Sequence, residues 1–166
     1  VAIMMPNILQ YPISTFGILK AGLIVENINP LYTARELETQ LLNSKSETII
    51  ILENFAYLIE KISDKTAIKN IIITSVGELL GMKGLLMNFL IRKVAKKVPK
   101  YNIPNFYKFS EVISNKNKKE IKNVPISLED VAFLQYTGGT SGTVKAAMLT
   151  HKNILSNVLQ VKEWLG

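Results

Sequence analysis

Ten residues, Tyr136-Thr-Gly-Gly-Thr-Ser-Gly-Thr-Val-Lys145, bring four aliphatic hydroxyls, three glycines and one lysine together with no acid among them. Glycine lets backbone N–H groups approach a ligand closely and accepts the positive φ that a tight loop demands. The hydroxyls of Thr137, Thr140, Ser141 and Thr143 and the ammonium of Lys145 add further donors. Many donors, one cation and no competing carboxylate suit an oxyanion, phosphate above all. The spacing is not that of the two commonest phosphate loops. A Walker A loop sets its Lys between Gly and Ser or Thr, whereas Lys145 lies between Val144 and Ala146. Gly138, Gly139 and Gly142 likewise miss the G-x-G-x-x-G spacing of dinucleotide sites. Composition alone leaves a second reading open, a plain Thr/Gly turn joining strands at 131–136 and 146–149.

Other chemistries are poorly supplied. The 166 residues contain no cysteine and one histidine, which excludes disulfides, thiolate metal sites, cysteine nucleophiles and multi-His metal clusters. His151 stands at the predicted start of a helix, where an imidazolium is disfavoured, and no acid occupies an obvious partner spacing. Glu36 and Glu38 are two positions apart and face different ways on a helix, so they do not form an acid/base pair. Trp164 reads as core or interface packing. Tyr136 borders the loop and reads equally well as a pocket wall or as a packed strand aromatic.

The net charge of +7 is concentrated. Residues 83–122 hold eleven of the twenty Lys and Arg but two of the thirteen acids. Within this stretch, 79–98 reads as an amphipathic helix, with Leu79, Met82, Leu86, Phe89 or Leu90, Val94 and Val98 as its apolar stripe. Lys83, Arg92, Lys93, Lys96 and Lys97 fall mostly outside the stripe. A solvated basic face on a core-packing helix and an interfacial helix on anionic lipid through 79–100 both remain open. Nucleic acid is disfavoured because aromatics do not interleave with the bases. The apolar run 85–91 is far short of the roughly 20 residues needed for a membrane span.

The elements that must position the loop read as alternating strands and helices. Apolar runs at 1–5, 23–28, 48–52 and 70–74 have the character of strands covered on both faces. Between them lie helical patterns at 8–20, 33–44 and 55–64. Asn7 is the expected cap of the first, with Pro12 a potential kink and Gly22 just past its end. Thr33-Ala-Arg-Glu36 is a capping box. Phe55, Leu58, Ile59 and Ile62 share one face of the third. Strict alternation predicts an α/β fold: a layered βαβ parallel sheet with helices on both faces, plus a hairpin carrying the loop. Residues 115–123 read as a polar linker, and Ser127-Leu-Glu-Asp130 as a turn entering the strand at 131–136. A last helix over 152–165 takes Thr150 as its cap and is expected to bury Ile154, Val158, Val161 and Leu165.

Leu134-Gln-Tyr-Thr-Gly-Gly-Thr-Ser-Gly-Thr-Val-Lys145 resembles, without gaps, the AMP-binding signature of the adenylate-forming superfamily of acyl-CoA synthetases, luciferases and peptide-synthetase adenylation domains. The longer string from Phe133 through Ala147-Met-Leu-Thr-His-Lys-Asn153 is similar to bacterial long-chain fatty-acid–CoA ligases in particular. So are Met4-Met-Pro-Asn-Ile-Leu-Gln-Tyr11, Phe16-Gly-Ile-Leu-Lys-Ala-Gly22 and Asn29-Pro-Leu-Tyr-Thr-Ala-Arg-Glu-Leu37. The likeness covers essentially the whole chain, with the Lys-rich middle least specific.

That resemblance implies an enzyme that activates a long-chain fatty acid with ATP and Mg²⁺, releases pyrophosphate and passes the acyl group to coenzyme A. Alternatives are a ligase for a medium-chain or aryl acid, or a non-catalytic membrane-associated nucleotide-binding fragment. The resemblance assigns the phosphate cradle to Thr137, Gly138, Gly139, Thr140, Ser141, Gly142, Thr143 and Lys145. It also implies that 1–166 is a piece of the large N-terminal AMP-binding domain. The Mg²⁺-engaging, ribose-binding and C-terminal lysine motifs would then lie outside it, leaving no catalytic or metal-ligating residue within. The expected location is cytoplasmic, with peripheral contact to the cytoplasmic face of the membrane through 79–100. Two positions depart from the family pattern: Val144 stands where Pro is frequent, and Ala146 where Gly is usual. If position 146 needs a positive φ, alanine costs on the order of 1 kcal/mol.

Overall fold

The computed structural model describes residues 1–114, 123–137 and 145–166. Four parallel strands occupy the apolar runs: β1 (Ala2–Met4), β2 (Val25–Asn27), β3 (Thr48–Leu52) and β4 (Asn70–Thr74). A two-residue strand β5 (Tyr107–Lys108), too short to leave a periodic signal, adds an edge beside β4. On the other side β6 (Val131–Thr137) pairs in parallel with β2, and β7 (Lys145–Thr150) closes an antiparallel hairpin with β6. The sheet order is β5-β4-β3-β1-β2-β6-β7. The expected α/β architecture and its hairpin are both present.

Helices cover both faces. Alternation along β3 sends Ile49 and Ile51 to one side and Ile50 and Leu52 to the other, so each face needs its own apolar cover. On the first face α2 (Ala34–Ser44) and α3 (Ala56–Glu60) bring Leu37, Leu41, Leu58 and Ile59. On the second, α1 (Gln10–Lys20) and a short α5 (Phe109–Ile113) bring Ile18 and Phe109. Truncating any one of these fully buried side chains to alanine removes transfer energy and leaves a cavity, a cost of about 2–5 kcal/mol.

The capping box of α2 forms as expected: the Glu36 amide donates to Thr33 Oγ1 (3.4 Å) and the Thr33 amide to Glu36 Oε2 (2.8 Å). The Thr33 amide and then the Thr33 hydroxyl (2.7 Å), both donating to Glu36 Oε2, hold the Glu36 carboxyl below its usual range. Helix α1 differs from expectation at its start. Residues 6–9 form a turn, with the Ile8 amide donating to the Pro6 carbonyl, and the helix begins at Gln10 with no side-chain cap from Asn7 or Leu9. Pro12 then falls in the first turn, where its missing N–H is not needed, and the helix runs on without a break. The third helical pattern is shorter than expected. A 3₁₀ turn at Glu53–Phe55 leads into α3, and a second turn follows at Ser63–Lys65.

The largest correction concerns the basic stretch. Instead of one helix over 79–98 there is α4 (Gly81–Phe89), followed by a π-helical turn at Leu90–Val94. The expected stripe is not the buried face: Met82 is 88% exposed, and Leu86, Phe89, Leu90 and Val94 are exposed as well. Gly84 and Asn88 face inward instead. Asn88 Oδ1 accepts from the Gly77 amide (2.8 Å) and Asn88 Nδ2 donates to Ser75 Oγ (2.9 Å). A small residue and an amide bonded through both its oxygen and its nitrogen therefore dock α4, and the apolar stripe turns outward.

Arg92 also leaves the expected basic face. Its Nη2 lies 2.7 Å from Oε2 of the buried Glu53, and its Nε donates to both carboxylate oxygens at 3.0 Å. The hydrogen bonds to Glu53 raise the guanidinium's pKa further. Beside it, Glu78 accepts from the Thr74 hydroxyl (2.6 Å) and the amides of Ser75 and Ser110 (3.2 and 2.9 Å), tying α5 to the end of β4. Partial burial works against its charge, but these bonds outweigh burial and hold the carboxyl below its usual range.

The last helix, α6 (His151–Leu165), starts with the expected Thr150 cap: Asn153 closes a capping box in which its amide donates to Thr150 Oγ1 (3.2 Å). Its expected buried face does not exist. No residue of α6 is buried: Val158, Val161 and Leu165 are exposed, Ile154 is half-buried and Trp164 is 90% exposed. The helix leans on β6 and β7 near its start, and past that turn its apolar residues have no surface to pack against among the described residues.

Candidate functional site

The parallel strands β1, β2 and β6 end together, and their carboxyl ends frame a cleft of about 290 Å³ lined by Ile3, Met5, Tyr11, Asn27, Gln135 and Tyr136. Ligands of open α/β sheets bind at carboxyl strand ends, near the point where connections diverge to opposite faces. Here β1 is followed by α1 on one face, and β2 by α2 on the other. The β6–β7 hairpin rises beside this cleft.

Of the eight expected phosphate-cradle residues, the structure places Thr137 and Lys145. They face each other as the last pair of the antiparallel ladder, next to Tyr136 and Ala146. Both are exposed, and none of the ion pairs among the described residues takes Lys145. Gly138, Gly139, Thr140, Ser141, Gly142 and Thr143 lie outside the described residues, as does Val144. The polar linker expected at 115–123 is also outside them, apart from Asn123. Ala146 answers its question directly: it is an ordinary ladder residue of β7 and is not among the described non-glycine residues with positive φ, which are Lys45 and Lys96. Alanine there carries no backbone strain.

The two residues before Thr137 point to opposite faces of β6, as consecutive strand residues must. Tyr136 is buried toward α2 and its hydroxyl donates to Asn43 Oδ1 at 2.7 Å. Burial, and then the nearby Glu26 carboxylate, push its phenol up to about 12, so it stays protonated and able to donate. Gln135 turns the other way. Its Oε1 accepts from Asn27 Nδ2 (3.3 Å), and Asn27 Oδ1 accepts from the Tyr11 hydroxyl of α1 (3.0 Å). Tyr136 is therefore at once a packed strand aromatic and part of the cleft wall.

Glu26, 1% exposed, reinforces the frame below the cleft. Gln40 Nε2 donates to its Oε1 (2.9 Å) and to the Asn27 carbonyl (3.1 Å), and the Ser46 hydroxyl donates to its other oxygen. A buried carboxylate is tolerable only with such donors. Sequence spacing does not link Asn43 to Tyr136, 93 residues apart, or Asn27 to Gln135, 108 apart. His151 begins α6 with its amide donating to the Asp130 carbonyl (3.0 Å), a backbone role.

Known proteins agree with this frame. A long-chain-fatty-acid–CoA ligase from Haemophilus influenzae is 52% identical over the whole of this chain, and one from Escherichia coli O157:H7 is 49% identical. In each case the chain spans about 30% of the relative's length. The crystal structure of a long-chain-fatty-acid–CoA ligase from Archaeoglobus fulgidus superposes with a TM-score of 0.64 at 25% identity, over 96% of this chain and 26% of that one. The profile of the AMP-binding enzyme family matches residues 1–166 throughout. That match over the whole of this chain, with the fold beside it, places the chain in the AMP-binding enzyme family.

Proposed function

We propose that the protein to which this chain contributes activates a long-chain fatty acid with ATP, forming an acyl-adenylate and pyrophosphate, and transfers the acyl group to coenzyme A. The observation that carries this reading is the similarity of the whole of this chain to long-chain-fatty-acid–CoA ligases, of whose length it spans about 30%. In it, the donors of the segment Thr137 to Thr143 and the ammonium of Lys145 hold the β- and γ-phosphates. As the carboxylate attacks the α-phosphorus, negative charge moves onto the departing pyrophosphate, and fixed donors there stabilise the transition state more than the ground state. Mg²⁺ accompanies the nucleotide as substrate. A fatty-acid panel tests the assignment. Pyrophosphate release by the full-length protein should rise with chain length toward long-chain acids, and preference for an aryl or short acid would refute it.

Within the same reading, a cytoplasmic location with peripheral contact to anionic lipid is proposed for 79–100. It is supported by the outward-facing Met82, Leu85, Leu86 and Phe89 beside Lys83 and Lys93. No helix among the described residues is long and apolar enough to cross a membrane. Charge reversal at Lys83, Lys93, Lys96 and Lys97 should weaken co-sedimentation with anionic vesicles and leave neutral vesicles unaffected. Unchanged sedimentation removes this stretch from the proposal.

A further inference from the structure

The hairpin that carries Lys145 is fastened next to the last rung of its ladder from both faces of the sheet. On one face the Tyr136 hydroxyl reaches Asn43 on α2. On the other, Gln135 meets Asn27, which is held by Tyr11 on α1. These contacts fall at the two residues preceding Thr137, which itself pairs with Lys145. The parallel β2–β6 ladder extends only to Gln135, so past it these side-chain bonds, rather than pairing with β2, hold β6 in place.

We propose that Tyr136 and Asn43, with the Gln135–Asn27–Tyr11 chain opposite them, are positioning residues that set Lys145 and Thr137 for the triphosphate. This rests on the proposed assignment of the hairpin to phosphate binding. A displacement of about 1 Å at a charged donor is enough to cost substantial rate. The Tyr136 bond has the better geometry of the two fastenings, with a short donor–acceptor distance and a phenol that does not ionise at neutral pH. It is the one whose loss should be felt most.

The test uses the full-length protein. Tyr136→Phe deletes only the hydroxyl, Asn43→Ala deletes its acceptor, and Asn43→Asp keeps an acceptor in place. Loss of one hydrogen bond predicts a rise in KM for ATP and a fall in adenylation, together about 5–10-fold in kcat/KM. Tyr136→Phe and Asn43→Ala should give equal losses that do not add in the double variant, since both remove the same bond. Asn43→Asp should retain wild-type kinetics. Conversion of supplied acyl-adenylate to acyl-CoA should be unchanged in all of them, because that half-reaction needs no triphosphate. Unaltered KM for ATP in both single variants, additive losses, or a parallel fall in the second half-reaction would each overturn the proposal. Lys145→Ala separates this failure from failure of the functional reading. If that variant is impaired while Tyr136→Phe is not, only the positioning role is wrong; if Lys145→Ala is itself unimpaired, the phosphate assignment fails first.

Discussion

Full-length protein carrying Lys145→Ala is expected to form acyl-adenylate about 10²–10³-fold more slowly, the usual cost of deleting one fixed donor at a site of developing charge. Fatty-acid affinity should stay within about twofold, because a residue that acts on the leaving pyrophosphate makes no uniform contribution to binding the acid. The substitution is clean in structural terms. Lys145 is exposed at the last rung of the β6–β7 ladder, its strand bonds are made by backbone, and its neighbour Ala146 already sits in that ladder without strain. Lys145→Arg should recover only part of the rate, since a planar fork replaces a compact ammonium on a different reach. Fatty-acid-dependent exchange of labelled pyrophosphate into ATP, beside equilibrium dialysis of the acid, reads both quantities. Exchange at the wild-type rate in Lys145→Ala would remove the hairpin from the chemistry.

The second large effect is on folding. Gly77 and Gly84 bring two backbones together so closely that a methyl group built on Gly84 would sit 1.7 Å from the Gly77 carbonyl oxygen. The obstacle is backbone and cannot rotate aside. Gly84→Ala should therefore push α4 off its seat, disrupting the Asn88 bonds to Gly77 and Ser75, and lower stability by about 3 kcal/mol, the upper end of ordinary overpacking costs. Gly17 provides the contrast, for nothing lies within 4 Å of a methyl group there and it sits inside α1. Gly17→Ala should raise stability by up to about 1 kcal/mol through helix propensity alone. Urea midpoints of the two variants in the full-length protein should move in opposite directions. An unchanged midpoint for Gly84→Ala would show that α4 does not depend on this contact.

The elements that sequence reading located well are those whose signals are local. The four apolar runs became β1 to β4 because Ile, Val and Leu buried on both faces leave an uninterrupted pattern. Thr33 with Glu36 and Thr150 at the head of α6 marked helix starts through bonds spanning three residues. Misreadings arose where the deciding partner was distant. Periodicity gave α4 an apolar inner face, yet what docks it is the fit of Gly84 against Gly77, with Asn88 accepting from the Gly77 amide outside the helix, 11 residues earlier. Arg92 looked like one more base on a solvated surface until Glu53, 39 residues earlier, took it. For α6 the pattern of Ile154, Val158, Val161 and Leu165 is truly amphipathic, but no element among the described residues lies opposite it.

By itself, the sequence determined the α/β class, the alternation of β1 to β4 with α1 to α3, and the donor-rich, acid-free composition of the 137–145 segment, because residue type and short spacing act within a few positions of the chain. Tertiary structure alone decided that β6 lies against β2, that Tyr136 and Gln135 are gripped from opposite layers, and that Ala146 needs no glycine. Those outcomes depend on which surfaces fold closure brings within a few ångströms. Hydrogen bonds between residues about a hundred positions apart leave no trace in local pattern, since either partner alone is an ordinary surface amide or phenol.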